Sequence, residues 1–143
     1  MSNDIEDIVK IMKNGGVVVF PTDTVYGIGA IPIRKAIKKI YKIKKRDYSK
    51  KIIALISDIS KLYEIINETD ANIKKILPVL NKFWPGDLTV IFRANKNFTN
   101  KFDDELNTIG VRIPKNKTAL EIIKRVGGFV LTTSANISGG NPV

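Results

Sequence analysis

At 143 residues and 43% hydrophobic content, the chain is long enough for one domain with a real core, and no apolar run approaches the ~18 residues of a membrane-spanning helix. The absence of both cysteine and histidine excludes disulfides, thiolate chemistry, Ser-His and Cys-His catalysis and histidine-ligated zinc hydrolysis. The net charge of +10 is concentrated: residues 34–51 hold ten basic side chains against Asp47 alone, a patch suited to the phosphates of a nucleotide or of RNA.

Taken in chain order, the acidic start Met1–Asp7 lacks the layout of a signal peptide, and a cytoplasmic protein is expected. Asn3 or Asp4 caps a first helix with Ile5, Ile8, Val9 and Met12 on one face, stopped by Gly15-Gly16. A strand Val17–Phe20 then runs into Pro21-Thr22-Asp23-Thr24-Val25-Tyr26-Gly27-Ile28-Gly29-Ala30, read as a strand-to-helix connection dense in hydroxyls, a carboxylate and glycines. Ile33, Ala36, Ile37, Ile40 and Tyr41 place a second helix up to about Ile43, with its lysines outward and Lys44–Lys51 as a loop. Ile52–Ile56 is apolar without alternation, as in a strand covered on both faces.

Asp58 or Ser60 caps a short helix, and Asp70 opens a longer one through Ile73, Ile76, Leu77 and Leu80 that Pro78 bends or restarts. Phe83–Asp87 is a turn by its Pro-Gly pair, with Trp84 expected in core or lid packing; Leu88–Phe92 is a strand. Residues 95–107 read as a polar, mobile loop, and Thr108–Ile113 as a strand ended by Pro114. Thr118–Val126 is a helix closed by Gly127-Gly128, and the last strand, Phe129–Thr133, leads into Ser134–Gly140. With no repeat or linker, these elements predict a single α/β domain over 1–143 with a twisted, mixed parallel and antiparallel sheet flanked by helices.

Four polar clusters fall at strand ends or loops: Thr22-Asp23-Thr24-Tyr26, Lys44/Arg46/Lys50, Thr89 with Arg112, and Ser134-Asn136-Ser138. Open α/β sheets bind ligands at strand ends, and hydroxyls with glycine-exposed N–H groups cradle phosphate or carboxylate oxygens. Arg supplies a bidentate fork and Lys a point charge for a triphosphate. Nucleotidyl or phosphoryl transfer fits, since positioning and electrostatics can carry it without a protein nucleophile. Taken singly, the same residues have plainer readings: Ser134 and Ser138 as turn formers, Arg112 as half of a surface salt bridge, and the helix lysines as a solvated face. No metal-ligand spacing is present.

At these residues the chain resembles the YrdC-like threonylcarbamoyl-AMP synthase family. Phe20–Ala30 is similar to its Pro-Thr-(Asp/Glu)-Thr-Val-Tyr-Gly-Leu-Gly signature with Ile28 for leucine, and Ile40–Arg46 to its helix end and Lys-x-Arg element. Trp84–Thr89 matches Trp-Pro-Gly-x-Leu-Thr, Val111–Pro114 matches Val-Arg-x-Pro, and Thr133–Gly139 carries Ser-x-Asn. The resemblance implies a YrdC-like fold and a cytoplasmic enzyme that joins L-threonine, bicarbonate and ATP into L-threonylcarbamoyladenylate with release of pyrophosphate. Magnesium would accompany ATP, and a separate tRNA threonylcarbamoyl transferase complex would use the product to modify adenosine beside the anticodon. By the same resemblance Thr22, Thr24, Tyr26, Lys50, Thr108 and Arg112 would face threonine and bicarbonate. Lys44, Arg46, Thr89, Ser134, Asn136 and Ser138 would face the nucleotide, with Lys44 and Arg46 catalytic.

Two departures stand out. Asp47 replaces the proline that usually follows Lys-x-Arg, and family members continue several tens of residues past Ser-x-Asn. The second departure predicts either a fragment or a shortened member whose nucleotide pocket is open on one side. An alternative, motivated by the basic 34–51 segment, is a tRNA- or double-stranded-RNA-binding module of the same fold, or a catalytically impaired paralogue.

Overall fold

The computed structural model describes residues 2–21, 26–44 and 52–134. Helix α1 (Ser2–Lys13) leads to β1 (Val18–Pro21) and β2 (Tyr26–Ala30), and α2 (Arg34–Lys44) returns the chain to β3 (Ile53–Ile56). A 3-10 turn (Ile59–Lys61) and α3 (Leu62–Ile65) precede α4 (Asp70–Phe83), β4 (Val90–Arg93), α5 (Lys96–Thr99), β5 (Thr108–Arg112), α6 (Lys117–Arg125) and β6 (Phe129–Ser134). The six described strands form one sheet in the order β1-β2-β6-β3-β5-β4. Only β3 and β5 run parallel; every other neighbouring pair is antiparallel. The mixed sheet expected from the sequence is present.

The pleat assigns the two faces to two cores. Ile28, Ala30, Leu131, Ala54, Ile56, Val111, Ile109 and Phe92 join Ala36, Ile37 and Ile40 of α2 and Ile73 and Leu80 of α4 in the larger cluster. On the opposite face Phe20, Val130 and Leu55 pack on Val9 and Met12 of α1 and Ala119, Ile122 and Ile123 of α6. Each helix forms where apolar residues recur every three or four positions and a stop follows. Asn116 caps α6 by accepting from the Ala119 N–H at 2.9 Å, and Gly127 and Gly128 leave it at φ 113° and 99°, a region closed to most side chains.

Three expectations need correction. Tyr26–Ala30 is not a connection into a helix but a second strand, antiparallel to β1 with Pro21 opposite Tyr26 and Val18 opposite Gly29. Residues 95–107 are not a loose polar loop. Asn95 caps α5 through the Asn97 N–H, Phe98 and Phe102 are buried with ring centroids 5.6 Å apart, and Tyr41 donates to Asp103 at 2.6 Å. Arg34 also reaches the Asn100 carbonyl and the Asp104 carboxylate. Finally, α4 runs from Asp70 to Phe83 through Pro78 without restarting there, and both Pro78 and Lys74, one turn before it, are exposed residues.

Candidate functional site

Strand directions bring the described strand ends that adjoin several of the sequence clusters to one end of the sheet. Pro21 ends β1 opposite Tyr26, which begins β2; Ser134 ends β6 opposite Gly27; and Ile53 begins β3 opposite Thr132. Because β5 runs parallel to β3, Thr108 begins β5 at this same end. The chain therefore enters or leaves 22–25, 45–51 and 135–143 at a single edge of the sheet. Thr22, Thr24, Arg46, Lys50, Asn136 and Ser138 lie outside the described residues. Lys44 closes α2, Tyr26 opens β2 and Ser134 closes β6.

One sheet face below that end is only partly covered. Across it runs a register row of Gly29, Thr132, Ile53, Gly110 and Ile91. Helices α1 and α6 cover the β1, β6 and β3 side, whereas on the β4 side Ile91 is 71% exposed, and Thr108 and Arg93 are exposed as well. Glycine at 29 and 110 keeps the row flat. A Cβ at Gly29 would lie 3.0 Å from the Phe20 Cβ, and one at Gly110 3.2 Å from the Thr89 Cγ2. Gly29 and Thr132 are buried in this row, so it is only around the half-buried Gly110 and the exposed Ile91 that a ligand could approach backbone closely.

Thr108 and Arg112 stand on this face two pleats apart, at opposite ends of β5, with Gly110 between them. Thr89, half-buried before β4, sits at the Arg112 end. Thr108 and the strand ends Pro21, Tyr26, Ile53 and Ser134 thus share one end of the sheet, while Thr89 and Arg112 form a second group roughly 7 Å below the central row.

Arg112 is 8% exposed, and the salt bridge considered for it is present, between this buried cation and the exposed Asp87 carboxylate. The Arg112 Nε donates to the Gly86 carbonyl at 2.6 Å and its Nη2 to the Asp87 carboxylate at 3.1 Å. The Trp84–Asp87 turn that supplies these acceptors is itself anchored. Trp84, 6% exposed, donates its Nε1 to the Leu88 carbonyl at 2.7 Å, and the Gly86 N–H donates to the Ile113 carbonyl at 2.9 Å. Trp84 is therefore core packing with its polar edge satisfied. A side chain at Gly86 would bring its Cβ within 2.6 Å of the Phe83 carbonyl oxygen, so the turn requires glycine there.

Sequence reasoning missed Thr132. It is 5% exposed and occupies the central row of this same sheet face, two residues from Ser134. The signal was available: residues i and i−2 of a strand share a face, so any site containing position 134 extends to position 132. Thr133, by contrast, alternates to the covered face, where its Oγ1 is buried with no hydrogen-bond partner among the described residues.

The basic helix divides into two sets. Lys35 and Lys39 donate at 3.1 Å to the carbonyls of Asn14 and Gly15, neutralising the carboxyl end of α1, while Lys38 and Lys42 are exposed. Part of the patch that suggested RNA is thereby spent on joining α2 to α1. Among the described residues no group of three or more acidic, histidine or cysteine side chains could hold a metal ion. No helix there is long and apolar enough to cross a membrane.

Known proteins resemble this arrangement along nearly the whole chain. A threonylcarbamoyl-AMP synthase of Coxiella burnetii is 30% identical over 143 residues, covering 99% of this chain and 75% of the relative. One of Bacillus subtilis is 34% identical over 137 residues, covering 94% of this chain and 39% of the relative, so the chain spans about two-fifths of that protein. Among solved structures, P. abyssi Sua5 complexed with L-threonine superposes with a TM-score of 0.83 at 28% identity, over 96% of this chain and 40% of Sua5. E. coli YciO does so with 0.81 at 25% identity, over 98% of this chain and 67% of YciO, and shares the six-stranded mixed sheet with its helices. The family model for Sua5, YciO and YrdC, described as telomere recombination, matches residues 10–143. The chain belongs to the Sua5/YciO/YrdC family.

Proposed function

We propose that this chain carries the L-threonylcarbamoyladenylate synthase reaction, forming L-threonylcarbamoyl-AMP and pyrophosphate from L-threonine, bicarbonate and ATP, for the threonylcarbamoylation of tRNA. The observation that supports the reading is that the described strand ends adjoining 22–25, 45–51 and 135–143 lie at one end of the sheet, together with Thr108, on the face that also carries Thr132 and Arg112. That a P. abyssi Sua5 structure holds L-threonine supports an amino acid as one of the ligands.

The chemistry asks for little covalent help from the protein. The threonine amine adds to bicarbonate with loss of water, giving a carbamate; a carbamate oxygen then attacks the α-phosphorus of ATP and pyrophosphate leaves. Magnesium belongs to the ATP substrate. In this reading Arg112 meets the amino-acid carboxylate as a charged fork, and Thr22, Thr24, Tyr26, Lys50, Thr108 and Thr132 bound the space for threonine and its carbamate. Thr89 lies beside them, while Lys44, Arg46, Ser134, Asn136 and Ser138 take the nucleotide, with Lys44 and Arg46 offsetting charge that develops on the leaving pyrophosphate. The test is pyrophosphate release from ATP with threonine and bicarbonate supplied together and separately. Release only when both are present supports the reading; release indifferent to threonine, or none with folded protein, rejects it.

A further inference from the structure

The outer edge of β4 borders a cleft that the threonine reading leaves unused. β4 is the last strand of the sheet, and β5 pairs one of its two edges. The Arg93 carbonyl turns to the other edge, where it accepts from the Asn67 N–H at 2.8 Å, so Ile91, two residues earlier, sends its own N–H and C=O the same way. The chain at 65–67 bonds this edge at Arg93 and Asn95 before Thr69 caps α4, and Ile91 is left without a strand partner there among the described residues. Between the edge and the first turns of α4 lies a cleft of about 300 Å³. Buried Ile73 and Phe92 with half-buried Ile76 and Val90 give it an apolar floor, and Glu68, Asn72 and Ile91 stand at its mouth.

The polar groups at the mouth are acceptors, and no lining residue is basic. Glu68 is half-buried yet makes no ion pair among the described residues; its hydrogen bond there is a long one, 3.3 Å from the Asn72 Nδ2. That bond turns the Asn72 nitrogen to Glu68 and leaves the amide oxygen to accept from elsewhere. A carboxylate, an amide oxygen and an edge carbonyl beside apolar ground match the three N–H donors of a primary ammonium on an apolar body. An anionic ligand would meet Glu68 charge against like charge. The net charge of +10 does not turn a cation away, because charges more than about 8 Å off are screened at physiological ionic strength and the charge in the lining is Glu68. We propose that this cleft binds a small primary ammonium with an apolar body: Glu68, Asn72 and the Ile91 carbonyl hold the nitrogen, and Ile73, Ile76 and Phe92 take the body. The volume is at the low end for ligand clefts and suits one small molecule. The site does not depend on the threonine reading.

The probe is phenethylammonium, titrated into the full chain beside neutral phenethyl alcohol and anionic hydrocinnamate, which carry a similar apolar body. Binding is followed by nitrogen-15 NMR at the amides of Ile73, Ile91 and Phe92. The ammonium is expected to bind about tenfold more tightly than the alcohol, the worth of one charge-assisted hydrogen bond, and hydrocinnamate more weakly than either. Glu68→Gln should bring the ammonium to the level of the alcohol and leave the alcohol unchanged, whereas Ile76→Gln should weaken both alike. Equal affinity for ammonium and alcohol, an unaltered ammonium affinity in Glu68→Gln, or no saturable shift at these amides would overturn the assignment. So would shifts of the same amides on dilution without ligand, which would mean that a second copy of the chain covers this edge.

Discussion

Substituting Gly110 by valine tests whether the open face is where the ligand lies. Gly110 is half-buried, pairs with Ile53 on one side and Ile91 on the other, and has no positive φ that would bar a side chain. A new Cβ there meets the Thr89 Cγ2 at 3.2 Å and the Ile53 Cγ1 at 3.6 Å, so Thr89 must yield by a few tenths of an ångström. Against that cost stand the strand preference of valine and the lower entropy of the unfolded chain, each worth up to about 1 kcal/mol. The two sides nearly cancel, and stability should change by no more than about 1 kcal/mol. The ligand fares differently. Two methyl groups would rise between Thr108 and Arg112, holding a substrate away from the backbone. A loss of about 3 kcal/mol there corresponds to roughly a hundredfold in affinity. Urea unfolding and threonine titration on the same preparation separate the effects. A Gly110→Val protein that binds threonine like wild type would refute the placement of the site on this face. One that unfolds far earlier would refute the packing estimate.

Two further predictions concern the supports of that face. Trp84→Phe should cost about 1 kcal/mol for the hydrogen bond to Leu88 together with the packing lost, read as a lower urea midpoint. An unchanged midpoint would mean that the turn is held without it. Tyr41 is kept un-ionised well above the ordinary tyrosine value of 10, first by burial and then by its hydrogen bond to Asp103 and that carboxylate's charge. The folded state thus holds its proton after the unfolded chain has lost it. The resulting stability is fully present below pH 10 and declines as the pH rises above it, and Tyr41→Phe should flatten that decline. An equally steep alkaline loss in the variant would assign it to other groups.

How much was legible follows from where each signal resides. Helix α6 was readable because its cap, apolar spacing and closing glycines all lie within a dozen residues and agree. Strand β2 was not, because Gly27 and Gly29 occupy one whole face of it and erase the alternation that marks a strand; only Ile28 and Ala30 carry it. The same glycine at 29 lets β2 pack closely on Phe20 and Val130. In 95–107 the polar composition outweighed Phe98 and Phe102, whose four-residue spacing was the one sign of a buried turn. Arg112 could be picked as a site residue, but its bond to Asp87 could not, since Asp87 stands 25 positions away and the two meet only through the fold. Neither could the shared end of the sheet be read from sequence: it depends on β6 inserting between β2 and β3, a strand order that local patterns do not encode.

The most direct measurement of the central claim is pyrophosphate release from ATP by this chain, with L-threonine and bicarbonate present together, singly and not at all. The account predicts release that requires both and that disappears in Gly110→Val while the fold survives. Release that ignores threonine, or that persists undiminished in that variant, would contradict it.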